Sequence, residues 1–492
     1  MQSVPAYRYE ELAGFITGLV RNGTLPPGSR APSLRQICKQ RRISLSAALQ
    51  AYRLLEDRGV LEARPQSGYY VRGGQVSLQL PAATKPSGKP TNVALSGMVF
   101  ELLEYAADPR FVPLGCAIPS TDLLAAGRLD RFLARAARVK GAEHNTYTGP
   151  KGDLHLRQEI ARRALRWGQA LSSDAQHAVT QSAEAISPEN IAITCGCTEA
   201  LTLALKAVTR PGDTVAIESP TYFGLLHTLR ALDLKVLELP TDATNGVDLY
   251  ALERALQGGG IAACLFSSSF NNPLGCTVPT QNKLVVLDLL SKHDVPLIED
   301  DIYGDIHFGE QRPQPFISLD RAGNTLYCSS FSKTIAPGYR IGWIAAGRYL
   351  PKVLEHKFAL TLCGPALPQL ALADFLSSGS YDSHLRRIRR VFASNMEQML
   401  RTIQDSFPQG TRASQPAGGF VLWVELPRSI RTGELFRAAL DNGICFAPGP
   451  VFSTTGRYSH CMRISCGHNW HPRIEKGLRT LGALASAALT RK

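Results

Sequence analysis

The stretch SSFSKTIAPGYRIGW, residues 329–343, places Lys333 after closely spaced hydroxyl residues and seven positions before Arg340. A lysine amine can form a Schiff base with an aldehyde, while nearby hydroxyls and a guanidinium can hold a phosphate. The stretch therefore suits a cofactor that carries both an aldehyde and a phosphate. Because most lysines are ordinary solvated residues, this interpretation depends on the motifs elsewhere in the chain.

A second motif, PLIEDDIYGD at residues 296–305, is an apolar run that ends at Asp300, with Tyr303 three residues later. The pattern predicts a buried parallel strand that delivers polar groups at its carboxyl end. A carboxylate at that position can keep a pyridine nitrogen protonated and make the ring an electron sink.

Two further segments point to the same chemistry. In ITCGCTEALTLALKAV a strand ends at a glycine turn and a helix begins near Thr198, so the free N–H groups of Cys197 and Thr198 form a phosphate site. In SSSFNNPLGCT, Asn272 precedes a proline. Together the four segments resemble the fold-type I aminotransferases, which are pyridoxal phosphate enzymes.

The resemblance implies an α/β large domain with a mostly parallel sheet, a small α+β C-terminal subdomain over about residues 375–492, and pyridoxal 5′-phosphate as the cofactor. Alternating apolar runs and helical segments from about Ser96 onward favour the same architecture. The residues that match the family's cofactor positions are Cys197, Thr198, Tyr222, Asn272, Asp300, Tyr303, Ser330, Lys333 and Arg340, with Tyr147 donated to the neighbouring subunit's site.

Each match carries a role from the family. Lys333 is expected to hold the cofactor and act as the catalytic proton shuttle, and Tyr222 to stack on its ring. Asn272 and Tyr303 correspond to the pair that binds the phenolic oxygen. Arg463, in HCMRISCG, matches the arginine that clamps a substrate α-carboxylate. The alternative for Arg463 is a strand arginine in a salt bridge.

The N-terminal segment has a different character. An apolar stripe of Leu12, Phe15, Ile16, Leu19 and Val20 predicts a helix ending at Gly23. A second helix capped by Ser33 follows the turn at Pro26, Pro27 and Gly28, and a third packs Ala48, Ala51, Tyr52 and Leu55 inward. VLEARPQSGYYVR then predicts a hairpin around the PQSG turn. The pattern indicates a winged helix-turn-helix.

This segment resembles the DNA-binding domain of GntR-type regulators. By position, the residues expected to approach DNA are Ser33, Arg35, Ser44, Ser46, Gln50, Ser67 and Gly68. Leu45 stands where many relatives have an arginine, which leaves base readout to hydroxyls, Gln50 and apolar contacts. Residues 1–74 hold eleven Lys and Arg against five Asp and Glu, within a chain of net charge +13. This surplus favours an acidic partner.

At 492 residues the chain predicts two or three domains. We expect a DNA-binding domain at 1–73, a flexible or semi-extended linker at 74–95, the aminotransferase-like domain at 96–492, and a polar insertion from Gly168 to Ser187. The eleven cysteines show no metal-binding spacing and indicate reduced thiols, with no metal site. With no secretory or membrane signal, we expect a cytoplasmic protein.

This domain order is that of the MocR subfamily of regulators, and Tyr147 implies a homodimer. Two hypotheses remain. In the first, the protein is a transcriptional regulator that binds operator DNA and senses an amine, an amino acid or a B6 vitamer through the cofactor. In the second, it is an active aminotransferase with an accessory DNA-binding domain.

Overall fold

The computed structural model describes residues 8–490 except 23, 27, 58, 65–66, 73–75, 95–96, 140–144 and 168–185. The chain forms two compact units, Met1–Ser77 and Leu78–Lys492. Several predicted features lie outside the described residues, namely the helix end at Gly23, part of the turn at Pro27, the first half of the PQSG turn, and almost all of the insertion from Gly168.

The first unit is the predicted winged helix-turn-helix. Its helices are α1 (Arg8–Arg21), α2 (Leu34–Arg41) and α3 (Leu45–Asp57), and its wing pairs β1 (Leu61–Arg64) with β2 (Gly68–Val71) in antiparallel register. The four residues predicted to face inward from α3 are fully buried, which confirms that prediction.

One position of the predicted α1 stripe is wrong. Leu12 and Ile16 are buried, but Phe15 is 37% exposed and Ala13 is fully buried instead. Ala13 belongs to the same buried cluster as Ala48, Ala51 and Tyr52 of α3, so the inward face of α1 is turned from Phe15 toward Ala13. The Arg41 guanidinium lies 3.5 Å from the centre of the Phe15 ring and covers it.

The helices of the second unit surround two sheets. They are α4 (Met98–Ala107), α5 (Ala126–Val139), α6 (Leu154–Ala164), α7 (Cys197–Val208), α8 (Phe223–Ala231), α9 (Leu249–Gln257), α10 (Thr280–Lys292), α11 (Leu350–Leu360), α12 (Ala366–Ser377), α13 (Ser380–Ser406), α14 (Thr432–Asp441) and α15 (Pro472–Thr490). The strands are β3 (Val112–Leu114), β4 (Ile191–Thr194), β5 (Thr214–Ser219), β6 (Lys235–Asp242), β7 (Gly246–Val247), β8 (Ile261–Phe266), β9 (Leu297–Asp300), β10 (Thr325–Ser330), β11 (Gly342–Ala345), β12 (Arg412–Ala413), β13 (Val421–Glu425), β14 (Ile444–Pro448) and β15 (Cys461–Ser465).

The large sheet has the order β4-β11-β10-β9-β8-β5-β6-β7. Strands β10, β9, β8, β5 and β6 are parallel to one another, while β11 is antiparallel to both of its neighbours. Alternate residues of a strand face opposite sides, and both sides are covered. Val215 and Ile217 belong to one buried cluster, whereas Ala216 belongs to another. This sheet confirms the predicted mostly parallel α/β domain.

The small subdomain is built on a sheet of order β12-β13-β15-β14-β3. Strand β3 pairs in parallel with β14, so residues before Leu114 join a sheet whose other strands come from the last hundred residues. The expected subdomain over about 375–492 did not include β3. Its three residues form too short a pattern to reveal a partner more than 300 positions away.

Residues 78–94, which we call the strap, lie along the second unit as extended chain. Thr91 forms an isolated antiparallel bridge with Val236 of β6, and Val93 is buried. This part of the expected linker is therefore attached to the body of the protein by specific hydrogen bonds rather than free of it.

Candidate functional site

A cavity lies where the parallel strands end. Strands β5, β8, β9 and β10 run in the same direction, so their carboxyl ends meet at one edge of the sheet, where α/β proteins bind ligands. The cavity has a volume of about 230 Å³. Its lining includes Cys197, Thr198, Tyr222, Asn272, Asp300, Tyr303, Ser330, Lys333, Arg340 and Arg463. The structure thus brings together all the predicted cofactor and carboxylate residues except Tyr147, which is 80% exposed at the surface.

Lys333 follows β10 and is half-buried. Its Nζ donates a hydrogen bond to the carbonyl oxygen of Ala117 at 2.7 Å. Burial, with the neighbouring charge of Arg463, lowers the pKa of Lys333 to about 8. A larger fraction of the amine is therefore neutral near physiological pH, which is the form that attacks an aldehyde.

Asp300 ends β9 and faces the same cavity. Burial raises the pKa of its carboxyl group to about 6, although a hydrogen bond from Cys197 opposes that rise. The Cys197 thiol lies 3.6 Å from Asp300 Oδ1. The Ser267 hydroxyl donates to the Asp300 carbonyl oxygen at 2.8 Å and fixes the strand end. A pyridinium nitrogen fits this partly desolvated carboxylate, because its positive charge would favour the ionised form.

Another part of the cavity, at the start of α7, is suited to a phosphate. Helix α7 begins at Cys197, directly after Gly196, whose φ is 82°. The Arg340 guanidinium crosses this helix start and donates to the Cys195 carbonyl oxygen at 3.1 Å. The positive φ favours glycine at this position, and a Cβ atom there would also press against that guanidinium. Helix N–H groups and a guanidinium together favour an oxyanion.

Arg463 lies on β15 with its side chain fully buried. It donates to Asn272 Oδ1 at 3.1 Å and to the Gly115 carbonyl oxygen, and its Nε has no hydrogen-bond partner among the described residues. No carboxylate of the described residues forms an ion pair with it, and burial lowers its pKa. A buried guanidinium without a counter-ion costs several kcal/mol, which a bound carboxylate would offset.

Two tyrosines border the space between these groups. Tyr303 is buried, and its hydroxyl is hydrogen-bonded to Asn272. Burial raises the pKa of the Tyr303 hydroxyl, so it remains a donor. Tyr222 precedes α8 and keeps part of its ring exposed to the cavity. The arrangement fits a planar ring with one oxygen substituent on its edge.

Glu218 is a cavity residue that the sequence analysis missed. It is buried, and burial raises the pKa of its carboxyl group to about 8. It accepts hydrogen bonds from the Ser267 N–H at 2.9 Å and from Asn271 Nδ2 at 3.3 Å. Glu218 therefore ties the end of β5 to residues 267–271, which lead to Asn272 and include the Ser267 that binds Asp300. The available signal was the carboxylate of Glu218 directly after the apolar run TVAI, residues 214–217.

The predicted DNA contacts lie on the first unit. The Ser33 hydroxyl and the Gln36 side chain form a reciprocal cap of α2, and Arg35 is exposed on its first turn. The Ser44 hydroxyl accepts from the Ala47 N–H at 3.2 Å, so it also serves as a cap of α3. The other predicted contacts, Ser46, Gln50 and Gly68, are exposed, and Ser67 is half-buried.

Sequence reasoning missed Arg30. This exposed arginine bridges to Tyr70 of the wing, and a Cβ atom at Gly68 would lie 3.5 Å from its guanidinium. It therefore adds a positive charge next to the wing. Its position in a turn, with no periodic pattern, gave no signal.

Other classes of site find no support within the described residues. None of their helices is long and apolar enough to cross a membrane. They also contain no group of three or more His, Cys, Asp or Glu side chains arranged to hold a metal ion.

Comparisons with known proteins agree with the geometry. A family model for aminotransferase class I and II matches residues 122–474, and a model for the gntR family of bacterial regulatory proteins matches residues 8–71. The chain is 38% identical to the uncharacterized HTH-type transcriptional regulator YdcR of Escherichia coli, over 98% of this chain and 100% of the relative. It is 28% identical to a 2-aminoadipate transaminase of Thermus thermophilus, over 80% of this chain and 95% of that enzyme.

A solved structure gives the same picture for the body of the protein. LysN, an alpha-aminoadipate aminotransferase from Thermus thermophilus complexed with N-(5′-phosphopyridoxyl)-L-leucine, superimposes with a TM-score of 0.71 at 27% identity. The similarity covers 81% of this chain and 96% of LysN.

Proposed function

The chain belongs to the class I and II aminotransferase family and carries a gntR-type DNA-binding domain, as MocR-type regulators do, and on this premise we propose that its body senses a small amine, amino acid or B6 vitamer and passes the signal to DNA. Pyridoxal 5′-phosphate is the cofactor of this fold. When bound, it supplies an aldehyde for amine capture and an electron-withdrawing ring.

The buried, unpaired guanidinium of Arg463 carries this proposal. In the described residues it has no carboxylate partner, and it lies in the same cavity as Lys333. An amino acid would bring a carboxylate to Arg463 and an amine to the reactive centre at the same time. With its pKa lowered to about 8, the Lys333 amine could accept and return a proton there.

The proposed cofactor contacts follow the geometry of the cavity. The start of α7 at Cys197 and Thr198, with Ser330 and Arg340, would hold the phosphate, and Asp300 would bind the ring nitrogen. The assignment of roles is supported by the helix start, the burial of Asp300 and the shared cavity.

The strap favours a regulator over a purely metabolic enzyme. On the large domain, the Thr84 hydroxyl donates to the Ser219 carbonyl oxygen at 2.7 Å and accepts from the Thr241 N–H at 2.8 Å. Thr91 and Val236 exchange both backbone hydrogen bonds at 2.9 Å. These contacts attach the chain that leaves the DNA-binding unit to the edge of the sheet that forms the site.

The strap also contacts the small subdomain. The Ala413 N–H donates to the Gln79 carbonyl oxygen at 3.0 Å, and the Ala82 N–H donates to Glu425 Oε2 at 2.9 Å. A change in the angle between the two subdomains would therefore pull on residues 78–94.

A continuous set of contacts leads from the proposed ligand site to the strap. The Arg463 guanidinium lies 5.3 Å from the Phe452 ring centre, and the Phe452 carbonyl oxygen accepts from the Thr221 N–H at 3.0 Å. Two residues earlier, Ser219 accepts from Thr84 of the strap. Ligand binding at Arg463 would be transmitted along this path if it biases two arrangements of the strap.

A specific observation also supports the second candidate function. Every position expected for transamination is filled, including Lys333 and Asp300, and one relative is a 2-aminoadipate transaminase. An active aminotransferase with an accessory DNA-binding domain therefore remains the alternative proposal.

We also propose a homodimer, supported by the exposed Tyr147, whose counterpart in relatives completes the neighbouring subunit's site. The proposed DNA contacts are a phosphate-binding arginine, Arg35, and polar or small residues at the cap of α2, in the first half of α3 and at the wing tip. These are Ser33, Ser44, Ser46, Gln50, Ser67 and Gly68. The basic surplus of the first 74 residues supports them.

A spectral titration tests the proposal. The cofactor-loaded protein is expected to absorb visible light, and amines or amino acids that bind should change that spectrum saturably. The same panel is then added during measurement of DNA affinity. A regulator requires at least one compound that changes both signals, whereas steady turnover with an amino donor and a keto acid, without any effect on DNA binding, would favour the enzyme.

A further inference from the structure

A second cavity of about 650 Å³ lies on the other side of the end of β9. Four arginines line it, Arg163, Arg166, Arg312 and Arg389, and its remaining walls are mainly polar. Arginine forks are the groups that proteins use for carboxylates and phosphates, and the volume is within the range of small-molecule sites.

Two carboxylates are already engaged here, Asp305 in the cavity lining and Asp301 behind Arg312. Arg312 pairs with Asp301 and also binds Asp305 Oδ1 at 3.0 Å. The second oxygen of Asp305 accepts from the Tyr381 hydroxyl at 3.0 Å. Both oxygens of Asp305 thus have a hydrogen-bond partner, while the Asp305 charge still acts on Arg389 without forming an ion pair with it.

The third carboxylate is shared. Asp382 pairs with Arg163 at 2.9 Å and with Arg166 at 3.3 Å. Arg163 also stacks over the Tyr381 ring, at 4.3 Å from its centre, which fixes its plane. One carboxylate thus serves two guanidinium groups.

Arg389 is left without a carboxylate partner among the described residues. Its Nε donates to the Asp305 backbone carbonyl at 2.7 Å, and the side chain is only half-exposed. Burial lowers the pKa of Arg389, and the nearby charges of Arg163 and Arg312 lower it further, against the effect of Asp305. A further carboxylate, Glu310, lines the cavity but is exposed, so the terminal nitrogens of Arg389 remain without an ion pair among the described residues.

We propose that this cavity is a second ligand site, which binds a small metabolite through an oxyanion, a phosphate or a carboxylate group, held by the terminal nitrogens of Arg389 beside Arg163. A bound oxyanion would supply the partner that the terminal nitrogens of Arg389 lack, and the guanidinium plane of Arg163, held over the Tyr381 ring, would receive it with little reorganisation. The site is distinct from the proposed cofactor cavity, which has its own cations.

The site is close enough to influence the cofactor cavity. Successive residues of a strand face opposite sides, so Asp300 faces the cofactor cavity while Asp301 binds Arg312. The Tyr381 oxygen, whose proton is donated to Asp305, accepts from the Thr334 hydroxyl at 3.0 Å, next to Lys333. A bound anion would therefore act on groups one or two contacts from the reactive amine.

The test uses the full chain loaded with pyridoxal phosphate, so that the cofactor's own phosphate site is filled. Calorimetric titration with inorganic phosphate and, separately, with citrate is compared for wild type, Arg389→Gln and Arg389→Lys. Arg390→Gln is the matched control, because Arg390 is on the same helix and does not line the cavity. An unchanged visible spectrum verifies that each variant keeps its fold.

We expect saturable binding of at least one anion to wild type and to the control, weakened by roughly tenfold or more in Arg389→Gln and by less in Arg389→Lys. Whichever anion binds identifies the oxyanion class. The absence of saturable binding by about 10 mM, or equal affinity in Arg389→Gln, would overturn the proposal. Because these titrations involve no amine ligand, they leave the proposed function of the first cavity untouched.

Discussion

Replacing Arg463 with glutamine tests the ligand site at the group on which it depends. The substitution removes a buried positive charge and a forked pair of donors, and leaves Lys333 in place. Truncating one partner of a buried, hydrogen-bonded charge pair costs about 2–5 kcal/mol. At about 1.4 kcal/mol per factor of ten, a loss of about 3 kcal/mol weakens ligand binding on the order of 100-fold.

The assay compares an amino acid that binds with the amine obtained by removing its carboxylate. Both are titrated against the visible absorption of the cofactor-loaded protein. Arg463→Gln should raise the Kd of the amino acid by that factor and change the Kd of the amine by no more than about threefold. Equal losses for both ligands would refute the carboxylate clamp, and so would an unchanged Kd for the amino acid.

The other predictions concern the reactive amine, the strap and the DNA-binding unit. Lys333→Ala should abolish the visible absorption. In the wild type, the rate of cofactor capture should rise with pH and reach half its maximum near pH 8, because only the neutral amine attacks. A midpoint near the ordinary lysine pKa would contradict the lowered pKa of Lys333. Thr84→Val removes the hydrogen bonds to Ser219 and Thr241. It should leave ligand affinity within about threefold and reduce the effect of ligand on DNA affinity. An undiminished effect would rule out the strap as the connection between the ligand site and the DNA-binding unit. Arg35→Ala should weaken DNA binding similarly across sequences and reduce the slope of log affinity against log salt by about one; an unchanged slope would remove Arg35 from the phosphate contacts.

Much of the cofactor cavity could be predicted because its signals are local. Asp300 and Lys333 each follow an apolar run, and a polar residue at the end of a buried parallel strand falls at the same edge of the sheet whichever strand carries it. The helix start at Cys197 is likewise contained within a few residues. For this reason the separate motifs converged in one cavity.

Features that depend on distant contacts gave no such signal. The arginine cavity joins Arg163 to Asp382, which are 219 positions apart, and no pattern near either residue indicates the pairing. The strap has the sequence character of a linker because it lacks periodicity, although its backbone groups bind the body one by one. Phe15 matched the helical stripe, but Ala13 rather than Phe15 lies in the buried cluster shared with α3, and the local sequence gave no sign of that choice.

The central claim is that a ligand bound beside Lys333 controls the affinity of the protein for DNA. The most direct measurement is the affinity of the cofactor-loaded protein for a duplex that it has selected from random sequence, with and without a saturating amine or amino acid, in parallel with Lys333→Ala. We predict that the ligand changes the affinity of the wild type and has no effect on Lys333→Ala. An identical response of the two proteins would contradict the claim, as would a wild-type affinity that no binding ligand alters.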